Sequence, residues 1–451
     1  MTTSSGSPLL DPLFTTERLR GIASDQARVQ GMLDFEAALA RAQAGAGVIP
    51  AAAADPIAAA CRAELYDVAA LGAEAASAGN PAIPLVRALT ERVARSQPEA
   101  ARWVHLGATS QDAIDTGLVL QLGQALEVLD DDLGRLTAAL ARLTRAHRDT
   151  VLAGRTWLQQ AEPTTLGLKT AGWLAAADRH RSRLREVRAR ALVVQLGGAV
   201  GNLAALGDRG PRVTDLLAEE LGLGVPELPW HTHRDRLAEA GAAMGLLTGT
   251  LGKIARDVAL LMQSEVGEAF EPSAPGRGGS SAMPQKRNPV AAAVVGAAAL
   301  RVPGLVSTLL AAMVQEQERG LGGWHAEWEV LPEIWLLTGG ALAQVASVAE
   351  GLEIDPGRMA ANLSASGGAL QAGAVAAALA GRMGRTEAHA LVERASRRAR
   401  DEKRSLREAL LEERELRQHL SEAELERLLE PRAAAASSAA LVDQLLARRR
   451  T

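Results

Sequence analysis

The chain has 451 residues, of which 47% are hydrophobic and 23% charged, with a formal net charge of −4. That profile fits a globular protein with room for several domains, and it supplies no basic surface for nucleic acid. Cys61 is the only cysteine, which excludes an intramolecular disulfide and argues against a cysteine metal site.

Aromatic residues make up only 2% of the chain, so the core has to be built from Ala, Leu, Val and Gly, as in closely packed helices. Residues 1–13 show no basic segment followed by an apolar run, so no secretory signal is expected and cytoplasmic residence follows by default. Residues 1–108 read as shorter helices broken by Pro50, Pro56, Pro81 and Pro84. From Leu118, leucines recur at Leu122, Leu126, Leu129, Leu133, Leu136 and Leu140, in steps of four and three that keep one helical face apolar. No proline interrupts 110–148, which predicts a single helix of roughly 55 Å. A second long helix is predicted around 163–192. A third carries the stripe Leu247, Leu251, Ile254, Val258 and Leu261. Segment 291–314 is apolar enough to be taken for a membrane span. Arg301 and Pro303 interrupt it, and its Ala, Gly and Val content predicts a buried bundle helix. Another long helix is predicted over 331–352. Residues 353–451 open on Asp355-Pro356-Gly357 and again read as shorter helices. Within them, 405–429 is dense in Glu, Arg and Leu and predicts a solvated amphipathic helix. Long helices need partners along their whole length. The fold class is therefore all-α, in three regions of 1–108, 109–352 and 353–451, with a central long-helix bundle.

Between two long helical stretches lies Gly276-Arg277-Gly278-Gly279-Ser280-Ser281-Ala282-Met283-Pro284-Gln285-Lys286-Arg287-Asn288-Pro289. Its glycines and prolines forbid a regular helix. It concentrates hydroxyls, cations and an amide, yet lacks the spacing of a phosphate-binding P-loop. Composition alone leaves an ordinary basic surface loop equally open. The order of residues decides: Gly279 to Pro289 carries G-S-S-x-M-P-x-K-x-N-P in full, which resembles the signature of the fumarase/aspartase superfamily. The resemblance implies that Ser280 is the catalytic base acting on a carbon-bound proton. It implies that Lys286 and Asn288 bind a substrate carboxylate and help stabilise an enediolate-like carbanion. Such chemistry builds negative charge on a carboxylate, so donors and a cation have to face it in advance. A serine acts as a base only in a positive, desolvated neighbourhood.

Two further segments resemble the superfamily. Thr109-Ser110-Gln111-Asp112, followed by Asp115-Thr116, matches the region whose Thr-Ser pair hydrogen-bonds substrate carboxylate. Thr109-x-x-Asp112 also fits a capping box, and a helix N-terminus is itself an anion site, so both roles are compatible. The stretch 154–167, with Gly154-Arg155-Thr156-Trp157-Leu158-Gln159, matches a second region and implies substrate contacts at Thr156, Trp157 and Gln159. Adenylosuccinate lyase and fumarase carry histidine where this chain has Trp157, and the glutamate that supports that histidine is here Ala293. Expelling an amine or hydroxide is easier with a proton supplied. A carboxylate has a conjugate acid of pKa about 4 and attacks or leaves unaided at neutral pH. The losses therefore favour a carboxylate nucleophile, with Trp157 walling the site; plain core packing is the alternative for this Trp.

Within the superfamily the chain resembles the bacterial 3-carboxy-cis,cis-muconate cycloisomerases over nearly its whole length. Matching stretches include 34–39, 79–86, 229–232 and 318–328. His233 stands where glutamine is expected, and Gln317 where histidine is expected. The resemblance implies substrate contacts at Arg319 and at His231, for which a surface or capping role is equally open. A tricarboxylate needs several converging cations: Arg319, Lys286 and, as further candidates, Arg287 and Arg155. It implies lactonisation, a homotetramer with active sites built from three subunits, and neither metal nor cofactor. The histidines show no metal-ligand spacing. A superfamily lyase releasing fumarate from a succinyl-type substrate is the alternative, and a non-catalytic helical scaffold is a third reading that Ser280, Lys286 and Asn288 oppose.

Overall fold

The computed structural model describes residues 7–449 apart from 277, 280, 281 and 284. Six longer helices order the chain: α1 (Asp25–Gly45), α2 (Ser110–Ala146), α3 (Leu166–Ala191), α4 (Asp235–Leu261), α5 (Val290–Ala311) and α6 (Gly323–Gly351). The leucine stripe of α2 is buried from Leu118 to Leu140, and so is the Leu247–Leu261 stripe of α4. The 37 residues of α2 make a rod of about 55 Å.

The described chain divides into two compact units. The first comprises Met1–Leu133, Arg179–Gly252 and Val294–Gln344; the second comprises Gly134–Asp178, Lys253–Ala293 and Val345–Thr451. In the first unit, α1 packs against the helices Ala51–Ala60 and Gly210–Leu221 around Phe35, Leu39, Ile57 and Leu217. The scarcity of aromatics is met by close approach of backbones. A methyl group added at Gly31 of α1 would lie 2.9 Å from the Gly117 carbonyl oxygen of α2. One added at Gly252 of α4 would lie 2.7 Å from the Ala299 side chain of α5. In the second unit, Val375, Leu379, Leu391, Leu406, Leu410 and Leu425 form a separate core.

Four expectations change. The fold is mostly helical rather than purely so. A hairpin pairs β1 (Val151–Thr156) with β2 (Gln159–Thr165), and β3 (Ala269–Phe270) pairs with β4 (Glu353–Ile354). The helix predicted from 163 starts at Leu166, because Pro163, Thr164 and Thr165 belong to β2. Helix α5, which runs through Pro303, is not buried in the single chain. Both α5 and α6 are long and apolar enough to cross a membrane by length and composition, but only 22% of the α5 window is buried against 67% of the α6 window. Leu300 and Leu310 of α5 stay exposed. Finally, 405–429 is three short helices, Leu406–Leu411, Arg414–His419 and Glu422–Leu429. Reciprocal capping boxes, Ser405 with Glu408 and Ser421 with Glu424, start the first and third. Their leucines enter the core instead of solvent.

One buried histidine sets an acid limit on stability. His180 of α3 meets the Thr250 hydroxyl of α4 at 2.7 Å, and Arg183 donates to its Nδ1 at 2.8 Å. Burial first, then the charges of Arg183 and Arg179, push its pKa down to about 4 from 6.5. The unfolded chain therefore takes up a proton that the native state refuses between those values, and stability falls as pH drops through that window. Urea titrations at stepped pH are expected to show a shallower acid-side loss for His180→Gln than for the wild type. Equal slopes would remove His180 as the cause.

Candidate active site

In the first unit the site residues gather at the start of α2. Positions 111, 112, 115 and 116 share one face of the helix, and all four side chains are buried. Asp112 accepts from the backbone N–H groups of Thr109, Gly197 and Gly198, each at 3.0 Å, and lies 2.7 Å from His231 Nε2. The Thr109 contact is the return half of the expected capping box. Gln111 donates to the His231 carbonyl at 2.8 Å and accepts from Arg319 at 3.1 Å. Arg319 also donates to the Ala199 carbonyl at 2.8 Å. Thr109, Ser110, His231 and Arg319 are thereby brought to one end of one helix.

One turn further along, Asp115 accepts twice from Arg234, at 2.7 and 3.0 Å, and once from Trp324 Nε1 at 2.9 Å. The other edge of the Arg234 guanidinium meets Glu327 of α6, with Nε 3.0 Å from both carboxylate oxygens. The guanidinium also lies 4.8 Å from the Trp230 ring centroid. All three charged side chains are at most 1% exposed. Burial works against the charge on Arg234, but the two carboxylates outweigh it and hold its pKa above the ordinary value. Two carboxylates share one cation, so burial still raises the Glu327 carboxyl above its ordinary range, with Asp115 adding to it.

The second unit carries the hairpin and the signature loop. The β1–β2 connection has two residues, Trp157 (φ 52°) and Leu158 (φ 64°), so both occupy the left-handed region. A two-residue turn of this kind favours Asn and Gly. A non-glycine residue there costs about 1–2 kcal/mol. Trp157 is 98% exposed, which excludes core packing. Thr156 and Gln159 flank it and are exposed too.

Behind the tip, Arg155 makes a bidentate pair with the fully buried Glu268, at 2.8 and 2.7 Å, and Asn362 donates to the same carboxylate at 2.9 Å. Three residues on, Glu271 accepts from the Ala291 and Ala292 N–H groups at 3.0 and 2.8 Å and so caps α5. Arg287 donates to the Glu271 carbonyl at 2.8 Å and to Glu353 at 2.9 Å, and lies 4.9 Å from the Phe270 ring centroid. Arg287 and the Ser273 N–H hold the Glu353 carboxyl down at about 2. Asn288 N–H bonds the Gly278 carbonyl at 2.9 Å, and its amide reaches the Gly279 carbonyl at 3.3 Å, pinching the loop at its base. Gly278 is required there, since it has φ 70° and an added methyl would meet the Asn288 carbonyl oxygen at 2.8 Å. Lys286 is exposed, and among the described residues its ammonium has no ion-pair partner. Ser280 lies outside the described residues.

Two expected substrate cations are thus committed elsewhere: Arg155 to Glu268 and Arg287 to Glu353. Sequence reasoning missed Arg234, Glu327, Glu268 and Glu271. The one available signal was a pair of acids, Asp112 and Asp115, at the start of α2 ahead of the uncharged run 116–126. Of the two departures from the expected pattern, Gln317 accepts at its carbonyl from the hydroxyl of Thr232, the residue before His233, at 2.8 Å.

Comparison with known proteins identifies the family. The family described as "Lyase" matches residues 14–304, and "Adenylosuccinate lyase C-terminus" matches 368–445. The class is therefore that of the fumarase-type lyases. The chain is 58% identical over 439 residues to 3-carboxy-cis,cis-muconate cycloisomerase of Pseudomonas aeruginosa, covering 97% of this chain and 96% of that one. It is 44% identical to nitrosuccinate lyase of Streptomyces davaonensis, covering 97% and 94%. The crystal structure of 3-carboxy-cis,cis-muconate lactonizing enzyme from Pseudomonas putida superposes with a TM-score of 0.92 at 54% identity, covering 98% of both chains. The chain belongs to the fumarase/aspartase superfamily, in its 3-carboxy-cis,cis-muconate cycloisomerase family.

The buried triad yields a stability prediction. Arg234→Met leaves two carboxylates buried without their cation and is expected to cost about 3–5 kcal/mol in urea unfolding. Glu327→Gln keeps an acceptor and removes the excess negative charge, and is expected to cost less than about 1.5 kcal/mol. Equal losses in the two variants would contradict the charge accounting.

Proposed function

We propose that the chain cycloisomerises 3-carboxy-cis,cis-muconate to 4-carboxymuconolactone in the β-ketoadipate pathway. The observation that carries this reading is the full-length match to the cycloisomerases. A substrate carboxylate adds to the conjugated diene, and negative charge develops toward the opposite carboxylate. Ser280 delivers one proton to carbon, and in reverse it is the base. Lys286, Asn288, Thr109, Ser110, His231 and Arg319 bind carboxylates, so the developing charge meets donors already in place. Thr156, Trp157 and Gln159 complete the wall over the diene. Trp157 and Ala293 fit this chemistry, because the attacking carboxylate needs no general base.

In the same reading the chain is organised in three regions, 1–108, 109–352 and 353–451, and acts as a cytoplasmic homotetramer. The exposed apolar face of α5 supports a bundle completed by other subunits. The exposed hairpin tip supports sites that several subunits share. A second reading, elimination of nitrite from a nitrosuccinate-type substrate, is favoured by the 44% match, since so weakly basic a leaving group also needs no acid.

Loss of the diene absorbance on adding 3-carboxy-cis,cis-muconate tests the first reading. The wild type is expected to turn over, and Ser280→Ala to lose about 10²–10⁴-fold in kcat. Turnover of nitrosuccinate but not of carboxymuconate would sink it in favour of the second.

A further inference from the structure

His231 is fixed from several sides. Its Nε2 faces Asp112 Oδ1 at 2.7 Å, and its carbonyl accepts from Gln111 at 2.8 Å. The ring is clamped by the turn beneath it, where a methyl group added at Gly197 would lie 2.7 Å from Cε1. Asp112 cannot turn away, because three backbone N–H groups hold both of its oxygens. An ionised carboxylate so placed takes a proton donor from the imidazole, which puts one proton on Nε2. The other ring nitrogen is the exception to this order. His231 is 4% exposed, and among the described residues its Nδ1 has no hydrogen-bond partner. A buried polar atom left so is costly. Nδ1 faces Gly201, whose added methyl would lie 3.8 Å away, so the glycine keeps that side open. The same turn holds Arg319 through the Ala199 carbonyl, and Gln111 links Arg319 to His231.

We propose that His231 binds one substrate carboxylate through Nδ1, and that Asp112 is the positioning residue that sets its tautomer and angle. This rests on the reading of the site as a polycarboxylate site. A polycarboxylate at neutral pH offers acceptors only, so Nδ1 has to carry a proton in the complex. Neutral His231 has its single proton on Nε2; the second comes from solvent as the ligand binds. The imidazolium then lies between two carboxylates, one from the protein and one from the ligand, beside the Arg319 guanidinium. Asp112 supplies the fixed negative charge that makes this uptake favourable.

The test separates the two ring nitrogens. His231→Gln keeps an amide in reach of Asp112 and loses the atom at Nδ1. His231→Asn places its amide near the Nδ1 position and gives up Asp112. His231→Gln is expected to raise KM for 3-carboxy-cis,cis-muconate by about 10- to 100-fold with kcat little changed, and His231→Asn to recover part of that loss. Calorimetric binding of propane-1,2,3-tricarboxylate in two buffers at about pH 8, where an ordinary imidazole is neutral, gives a second readout. The wild type is expected to take up a proton on binding that His231→Gln does not. Thermal melting establishes that the variants are folded. Unchanged KM and unchanged proton uptake in folded His231→Gln would overturn the proposal, as would a fall in kcat alone. If the wild type binds the tricarboxylate with proton uptake but fails to turn over carboxymuconate, the assigned reaction fails while this inference stands.

Discussion

A guanidinium with almost no solvent contact has to be paired, and Arg234 is paired twice. Its partners come from different parts of the chain, Asp115 from α2 and Glu327 from α6, while Arg234 itself immediately precedes α4. Separating any one of the three would strand a charge in the core, a far larger penalty than losing an ordinary contact. The first turns of these helices are therefore locked to one another. The residues of the first unit that the proposed function assigns to substrate carboxylates sit close to that lock. Gln111 and Asp112 precede Asp115 by one turn, His231 precedes Arg234 by three residues, and Arg319 leads into α6.

The second unit solves a different problem, that of holding a glycine-rich loop and a strained hairpin tip at defined places. Two buried acids do this. Glu268 grips Arg155 at the root of the hairpin, and Glu271 caps α5 just beyond the loop. The outcome is a sorting of cations. Arg155, Arg287 and Arg234 are held by protein carboxylates and keep the scaffold together. Among the described residues Lys286 has no ion-pair partner, and Arg319 is held by neutral acceptors, a side-chain amide and a backbone carbonyl. In the proposed function these two charges are left for the anionic substrate. Trp157 follows a related logic. Its left-handed backbone and full exposure are a local loss of stability, and the proposed function uses the side chain as a wall over the diene.

The long helices were legible in the sequence because their leucine and valine spacing reports burial directly, as at Leu122 to Leu140. The signature loop was legible because its order is so specific. The hairpin was not, since Trp157-Leu158 lacks the Asn and Gly that announce such a turn. The strand content of Pro163 to Thr165 was hidden by the helix that follows. Helix α5 stays exposed in the single chain for a different reason: apolar composition reports that a face will be covered, but not whether the cover comes from the same chain. The acids that support the site, Glu268, Glu271 and Glu327, were invisible because a buried carboxylate and a solvated one look alike until their partners are known. For the same reason Arg155 and Arg287 could not be told apart from Arg319.

Thr109, Ser110, His231 and Arg319 lie in the first unit, and Thr156, Trp157, Gln159, Lys286 and Asn288 in the second. In the proposed function a working site draws these groups from different subunits. Mixing two inactive variants is the test: Ser280→Ala and Arg319→Ala, unfolded and refolded together or co-expressed. Random mixed tetramers are expected to regain up to about a quarter of the wild-type turnover, because some sites then receive both intact residues. Mixed tetramers with no more activity than either parent would rule out sites shared in this way.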